Sequence, residues 1–303
     1  MIKKNKLIIL FFFVVQMFWA QQDPQFTHYM YNTTNINPAY AGSREVVSVF
    51  GLHRTQWVGL DGAPTTNAFS LHSPVGGKIG LGLSFLNDNI GPADENTISI
   101  DISYSINFEN SKLAFGLKPS LNLLNVDYTK LSIYDLTDPQ FQNNINNELS
   151  PNIGAGIYWY STHYYVGFSI PNFLETKHYS DIQSNALKER QHYFLMAGYV
   201  FDLSPSIEFK PAFLSKIVSG APLQLDATAN FLINQKLTLG IAYRWDAAIS
   251  GLVGFQLTDK LFLGYSYDAD TTQLANFNSG SHEIFLRFEI FNSWEKIYCP
   301  RFF

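Results

Sequence analysis

Residues 97–123 read TISIDISYSINFENSKLAFGLKPSLNL. Ile98, Ile100, Ile102, Tyr104 and Ile106 alternate with Ser99, Asp101, Ser103, Ser105 and Asn107, and Glu109-Asn110 then turns the chain. Beyond the turn, Leu113, Phe115, Leu117, Leu121 and Leu123 alternate with Lys112, Ala114, Gly116, Lys118, Ser120 and Asn122. A period of two is the mark of a strand with one apolar and one polar face, so the stretch predicts a β-hairpin. Strands of soluble sandwiches usually run about 5 to 6 residues. These run roughly ten or more, the length of a strand tilted across a bilayer.

The same unit recurs along the chain, near 46–58, 64–73, 77–87, 96–108, 111–125, 152–161, 163–170, 191–203, 205–215, 222–234, 236–246, 249–257, 260–269 and 281–291. Fourteen is an even number, as expected of a bacterial single-chain barrel. The fold class expected is therefore all-β: a transmembrane antiparallel up-and-down β-barrel of about fourteen strands. The first strand is the weakest of them, with Ser48, Phe50, Leu52 and Arg54 sharing one face. Short turns follow the even strands, while the long connections, about 126–151, 171–190 and 270–280, follow odd ones. Barrels with both termini in the periplasm show this parity of short inner turns and longer outer loops. Pro119 and Pro211 fall inside strands and each removes a ladder donor, so bulges are expected there.

Composition agrees. Lys3, Lys4 and Lys6 precede an apolar run from Leu7 to Phe18, and Ala20 stands before the polar Gln21-Gln22-Asp23, which reads as a secretory signal peptide over 1–20. Its removal takes three of the 20 basic residues and none of the 25 acids, leaving 17 against 25, a charge of −8. That balance argues against a nucleic-acid partner, whose phosphates need Lys and Arg clusters. Cys299 is the only cysteine and forms no disulfide framework. Aromatics make up 16% of the chain, with Tyr and Phe frequent at strand ends, where aromatic girdles sit. No later segment offers eighteen consecutive apolar residues, which leaves a closed barrel as the way to satisfy a backbone in lipid. The organisation expected is a single domain over 21–303: a periplasmic leader at 21–45, a barrel at 46–291 and a tail at 292–303.

Chemistry is hard to find. Seven histidines are scattered with none paired at i, i+4, and His282-Glu283 begins like a zinc-protease helix but continues to Leu286 in a strand. Asp268 to Gln273 resembles a calcium loop for two ligands only. Gly80, Gly82, Gly154 and Gly156 read as inward glycines where space is tight. Ser281 and His282 are adjacent, so a strand points them to opposite faces and they make no nucleophile-base dyad. No catalytic residue, cofactor or metal site is expected, and the chain reads as a non-enzyme. The polar faces carry Asp101, Lys118, Glu208, Asp226, Arg244, Asp268, Arg287 and Glu289, which would pair with one another across a lumen.

QDPQFTHYMYNTTNINPAYAG at 22–42, HRTQWVGLDGAPTT at 53–66, GYSYDADTTQLANFNSGSHEIFLRFE at 264–289 and CPRFF at 299–303 together resemble the PorP/SprF family of the bacterial type IX secretion system. The resemblance covers essentially the whole mature chain, and the middle, about 127–184, departs most from it. It implies an outer-membrane component that supports export or surface attachment of specific cargo, gliding adhesins among them, with secretion machinery, cargo proteins and outer-membrane lipid as partners and no small-molecule substrate. It also marks Asn37, Pro38, Ala39, Tyr40, Gly42, Arg54, Trp57, Asp61, Gly62, Pro64, Ser281, His282 and Glu283 as signature or partner-binding candidates. Read on their own chemistry, Asp61-Gly62-Ala63-Pro64 form a turn, which Arg54 and Trp57 are expected to tie to the barrel mouth. The alternative reading is a passive pore or small-solute transporter; an outer-membrane hydrolase is more distant.

Overall fold

The alternation of 97–123 folds as the hairpin it predicts, inside a closed sheet. The computed structural model describes residues 25–132, 143–174 and 191–290. Fourteen antiparallel strands follow in chain order: β1 (Val47–Thr55), β2 (Thr65–Pro74), β3 (Ile79–Ile90), β4 (Ala93–Asn107), β5 (Lys112–Val126), β6 (Ile145–Tyr160) and β7 (Tyr164–Ile170). Then come β8, in two pieces (His192–Tyr199 and Phe201–Ser204), β9 (Ile207–Val218), β10 (Gln224–Ile233), β11 (Leu237–Arg244), β12 (Ala248–Thr258), β13 (Leu261–Asp270) and β14 (Ser281–Ile290). Each pairs with its sequence neighbours, and β1 pairs with β14 from Val47↔Ile290 to Thr55↔His282, which closes the barrel.

The two faces are inverted relative to a soluble protein. Along β4 the outward Ile98, Ile100, Ile102 and Tyr104 are 46%, 49%, 44% and 48% exposed, whereas the inward Asp101 and Ser103 are at 0% and 4%. The same division holds in β5, with Phe115, Leu117 and Leu121 outside and Lys118, Ser120 and Asn122 inside. An apolar outer band over a polar interior is stable only with lipid outside. None of the described helices is long and apolar enough to cross a membrane.

The parity of connections is as expected. Both ends of the barrel, before Val47 and after Ile290, share one rim with the short turns after even strands, and the longer connections share the other. In detail the chain differs from the sequence reading. β6 begins at Ile145, seven residues before the expected 152, because β5 and β6 stay paired past the apolar band as far as Val126↔Ile145. Neither proline makes a bulge. Pro119 pairs in register with Ile153, and on its other side the β4–β5 ladder skips Ile100 and Asp101 without shifting. Opposite Pro211 and Lys210, β8 is interrupted at Val200, while on its other edge the Val200 N–H donates to the His163 carbonyl at 2.7 Å in register with β7. A missing donor has opened a gap in the ladder, and the flanking pairs hold the register. The expected signal peptide over 1–20, Cys299, the rest of the tail and most of the two longest connections lie outside the described residues.

Candidate functional site

The segment 25–44, read as a periplasmic leader, runs inside the barrel. It has no strand period because it is a folded plug. Thr33–Ile36 forms one turn of α-helix and Pro38–Tyr40 a 3-10 turn. Asn37 caps the latter, its Oδ1 accepting from Ala39 N at 3.0 Å, and Pro38 at the first position supplies a φ suited to the turn. The plug's apolar side chains join two clusters in the lumen. Tyr29, Ile36, Ala39 and Tyr40 pack with Tyr158, Tyr165, Phe194 and Met196. Phe26 and Tyr31 pack with Phe50, Phe262 and Phe285 on the opposite wall.

Small wall residues make room for it. A Cβ at Gly80 would lie 2.1 Å from the carbonyl oxygen of Ala41, one at Gly116 2.2 Å from Ala39 N, and one at Gly156 2.1 Å from Asn37 Oδ1. The plug backbone thus lies directly on β3 and β5, and the Asn37 side chain on β6. Asn37 Nδ2 donates to the Ile157 carbonyl at 3.0 Å, Ser103 Oγ to that of Ala41 at 2.7 Å and Ser169 Oγ to that of Ile36 at 2.8 Å. Gly42, at φ +74 and against Pro74 and Gly80, turns the chain toward β1 where a side chain would fit in neither conformation nor space.

Four ionic groups hold the plug to the wall. Glu283 Oε1 accepts from His28 N at 2.8 Å and lies 2.7 Å from His28 Nδ1, and its Oε2 accepts from Thr27 N and from Arg54 Nη1, both at 3.0 Å. Arg54 Nη2 reaches Asp268 Oδ2 at 2.7 Å, and Thr27 Oγ1 lies 2.7 Å from the same oxygen. Lys118 Nζ binds Asp101 at 2.8 Å and donates to the Thr34 carbonyl at 3.1 Å. Gln25 Nε2 donates to Asp226 at 2.8 Å, which also takes Arg244 Nε at 3.0 Å. Arg44 pairs with Glu289, and Arg287 lies over the rings of Tyr31 and Phe262 at 5.5 and 4.9 Å. Buried charges are tolerated only when paired and hydrogen-bonded, and here the plug supplies part of the pairing. Burial works against the Arg44 charge, but Glu289 outweighs it and holds the guanidinium above its ordinary pKa.

The structure brings most of the signature residues together. Asn37, Pro38, Ala39, Tyr40 and Gly42 form the seated part of the plug, and Arg54 and Glu283 meet in its principal latch. Arg54 therefore does not tie down the 61–64 turn; it points into the lumen. That turn is held at the rim by backbone bonds, Gln56 N to Pro64 O and Gly91 N to Gly62 O, both 2.9 Å, with Gly62 at φ +73 and Asp61 exposed. Trp57 N donates to Ser281 Oγ at 3.1 Å, joining the 56–64 connection to the start of β14. His282 faces outward, its Nδ1 2.7 Å from Tyr265 Oη. Thr27, His28 and Arg44 were not singled out from sequence, since nothing in an aperiodic segment marks which polar residues will be enclosed. Among the described residues no three His, Cys, Asp or Glu side chains converge to hold a metal ion.

A fourteen-stranded barrel with a lipid-compatible exterior and a lumen occupied by its own N-terminal segment is a transmembrane protein of the outer-membrane type. Its sequence matches, over residues 18–288, the family model described as type IX secretion system membrane protein PorP/SprF. The chain belongs to that family. Among solved structures it is similar to the CymD monoaromatic hydrocarbon channel, with a TM-score of 0.51 and 13% identity over 85% of this chain and 92% of that one. It is also similar to the Ralstonia pickettii toluene transporter TbuX, with a TM-score of 0.52 and 7% identity over 84% and 92%. At such identities the likeness is one of fold. No curated protein matches the sequence.

Proposed function

We propose that this chain is a non-enzymatic outer-membrane component of type IX secretion that supports export or surface attachment of specific cargo, gliding adhesins among them, and contacts the periplasmic machinery. Family membership over nearly the whole chain supports the system. The observation that carries the reading of a scaffold over a passive pore is the plug. Residues 26–43 are folded, largely buried and latched to opposite walls, so the lumen is occupied by the protein itself. A solute pore would require this segment to leave, breaking the Glu283 and Lys118 contacts together. The non-enzymatic reading is supported by Ser281 and His282 standing on opposite faces of β14.

In this reading the long connections, 126–151 and 171–190 above all, face outward and select cargo. The test compares surface and secreted proteins between a deletion strain and its parent, then exchanges these connections with those of a paralogue. Loss of one or two large proteins, with the identity of the retained cargo following the exchanged connections, is the expected result. Unchanged secretion with reduced solute uptake, or a steady single-channel conductance of the intact protein in a planar bilayer, refutes it.

A further inference from the structure

The plug does not simply hang in the lumen; it crosses from one rim to the other. Its first described residue, Gln25, bonds Asp226, the third residue of β10 counted from the long-connection rim. Gln25 and Phe26 also border a small cavity with Phe194, Leu214, Lys216 and Gln224, all near that rim. Thr27 and His28 follow at Glu283 and Asp268, each the third residue from the same rim, and at Arg54, the second. Thr34 then lies at Lys118, midway along β5. The Ala41 carbonyl meets Gly80, the second residue of β3 from the short-turn rim, and Gly42 N donates to His72 near the end of β2. Arg44 reaches Glu289, next to the last residue of β14, at that rim. The two ends of the path are thereby fixed, with Gln25 at the long-connection rim and Gly42 and Arg44 at the short-turn rim, while between them Tyr31 dips to Phe262 and Ile36 rises again to Ser169.

We infer that the chain enters the lumen at the long-connection mouth, so that Gln25 lies on one side of the barrel with the connections 56–64 and 271–280, opposite the short turns and the point where β14 ends. This reverses the expectation of two termini on the same side. It divides the interaction surfaces accordingly. On the short-turn side, a partner has the turns, the residues around Glu45 and the end of β14 to hold, but not Gln25. A partner on the other side meets Gln25 beside the 56–64 and 271–280 connections. Which partner is machinery and which is cargo rests on the secretion reading above; the path of the plug does not.

The path is tested with full-length protein in cells. Cys299→Ser clears the only thiol, and single cysteines are then placed by Gln22→Cys, by Asp246→Cys in the β11–β12 connection of the long-connection rim, and by Lys260→Cys in the short β12–β13 turn. Folding of each is checked by heat-modifiable migration on gels. A membrane-impermeant maleimide is applied before and after permeabilisation. Q22C is expected to react in the same condition as D246C and in the opposite one to K260C. Reaction of Q22C together with K260C, or no reaction in either condition, overturns the inference. If D246C is the variant that needs permeabilisation and Q22C follows it, the path stands and the outward placement of the long connections falls.

Discussion

Replacing Glu283 by Ala removes the acceptor for four groups at once: the backbone N–H of Thr27 and of His28, the His28 ring and Arg54 Nη1, at 2.7 to 3.0 Å. Breaking one partner out of a buried ionic group costs about 3–5 kcal/mol, because the survivors are left desolvated. Here the lower end applies, since Asp268 still holds Arg54 at 2.7 Å. The wall itself is spared: the Glu283 backbone keeps its ladder to Arg54 and Ser266. The loss therefore falls on docking of the plug, where about 3 kcal/mol is roughly a 100-fold shift toward the undocked form. Chymotrypsin reads this directly, because Phe26, Tyr29, Tyr31 and Tyr40 are buried only while the plug is docked. When opening is fast relative to cleavage, the cutting rate follows the open population. For protein reconstituted in liposomes, cleavage in 26–40 is expected to accelerate about 100-fold in E283A and less in E283Q, which keeps the shape and one acceptor oxygen. Asp259→Ala, in an exposed turn, leaves it unchanged. Wild-type cleavage rates in a correctly folded E283A barrel would refute the role given to this latch.

Gly116→Ala and Gly156→Ala each put a methyl carbon into the seated plug and are expected to cost about 1–3 kcal/mol of docking by overpacking, read by the same protease assay. Gly51→Ala and Gly251→Ala, where a Cβ meets nothing within 4 Å, are the comparison and are expected to cut at the wild-type rate. Ile100→Arg on the lipid face is expected to destabilise the barrel by about 2–4 kcal/mol if it sits at mid-bilayer, measured as the shift in a urea folding titrated into lipid vesicles. Gln235→Gly should stabilise by about 1 kcal/mol in that titration, because Asn234 and Gln235 stand at φ +50 and +55 in a turn that Asn-Gly suits.

The wall of this protein is legible from sequence and its filling is not, for one physical reason. A strand between lipid and lumen must alternate, so period two exposes β4, β5, β10 and β11 residue by residue. Where the strands rise past the apolar band, as β6 does from Ile145 to Ser150, lipid no longer demands alternation and the reading fails. The plug obeys no period because its environment, the lumen, surrounds it on all sides. Its trace lies instead in the wall: Gly80 and Gly156 read as inward glycines in tight space, and the space is tight because Ala41 and Asn37 occupy it. Pairings such as Arg54 with Glu283 or Lys118 with Asp101 join residues on different strands, and a single sequence carries each charge without its partner.

The seam between β1 and β14 sets the order in which such a molecule can be made. Its pairs join residues more than two hundred positions apart, so it closes only after the intervening strands exist. Once it is shut, the segment 25–44 has walls on every side, and entry would mean threading a folded, aromatic chain lengthwise through a finished cylinder. A plug already lying on the open sheet when the first and last strands meet avoids that passage, and its Asn37 and Glu283 contacts reach strands on both halves of the sheet. Synthesis delivers the segment first and its latch on β14 last, so the event that completes the wall also locks in the residues that were waiting longest.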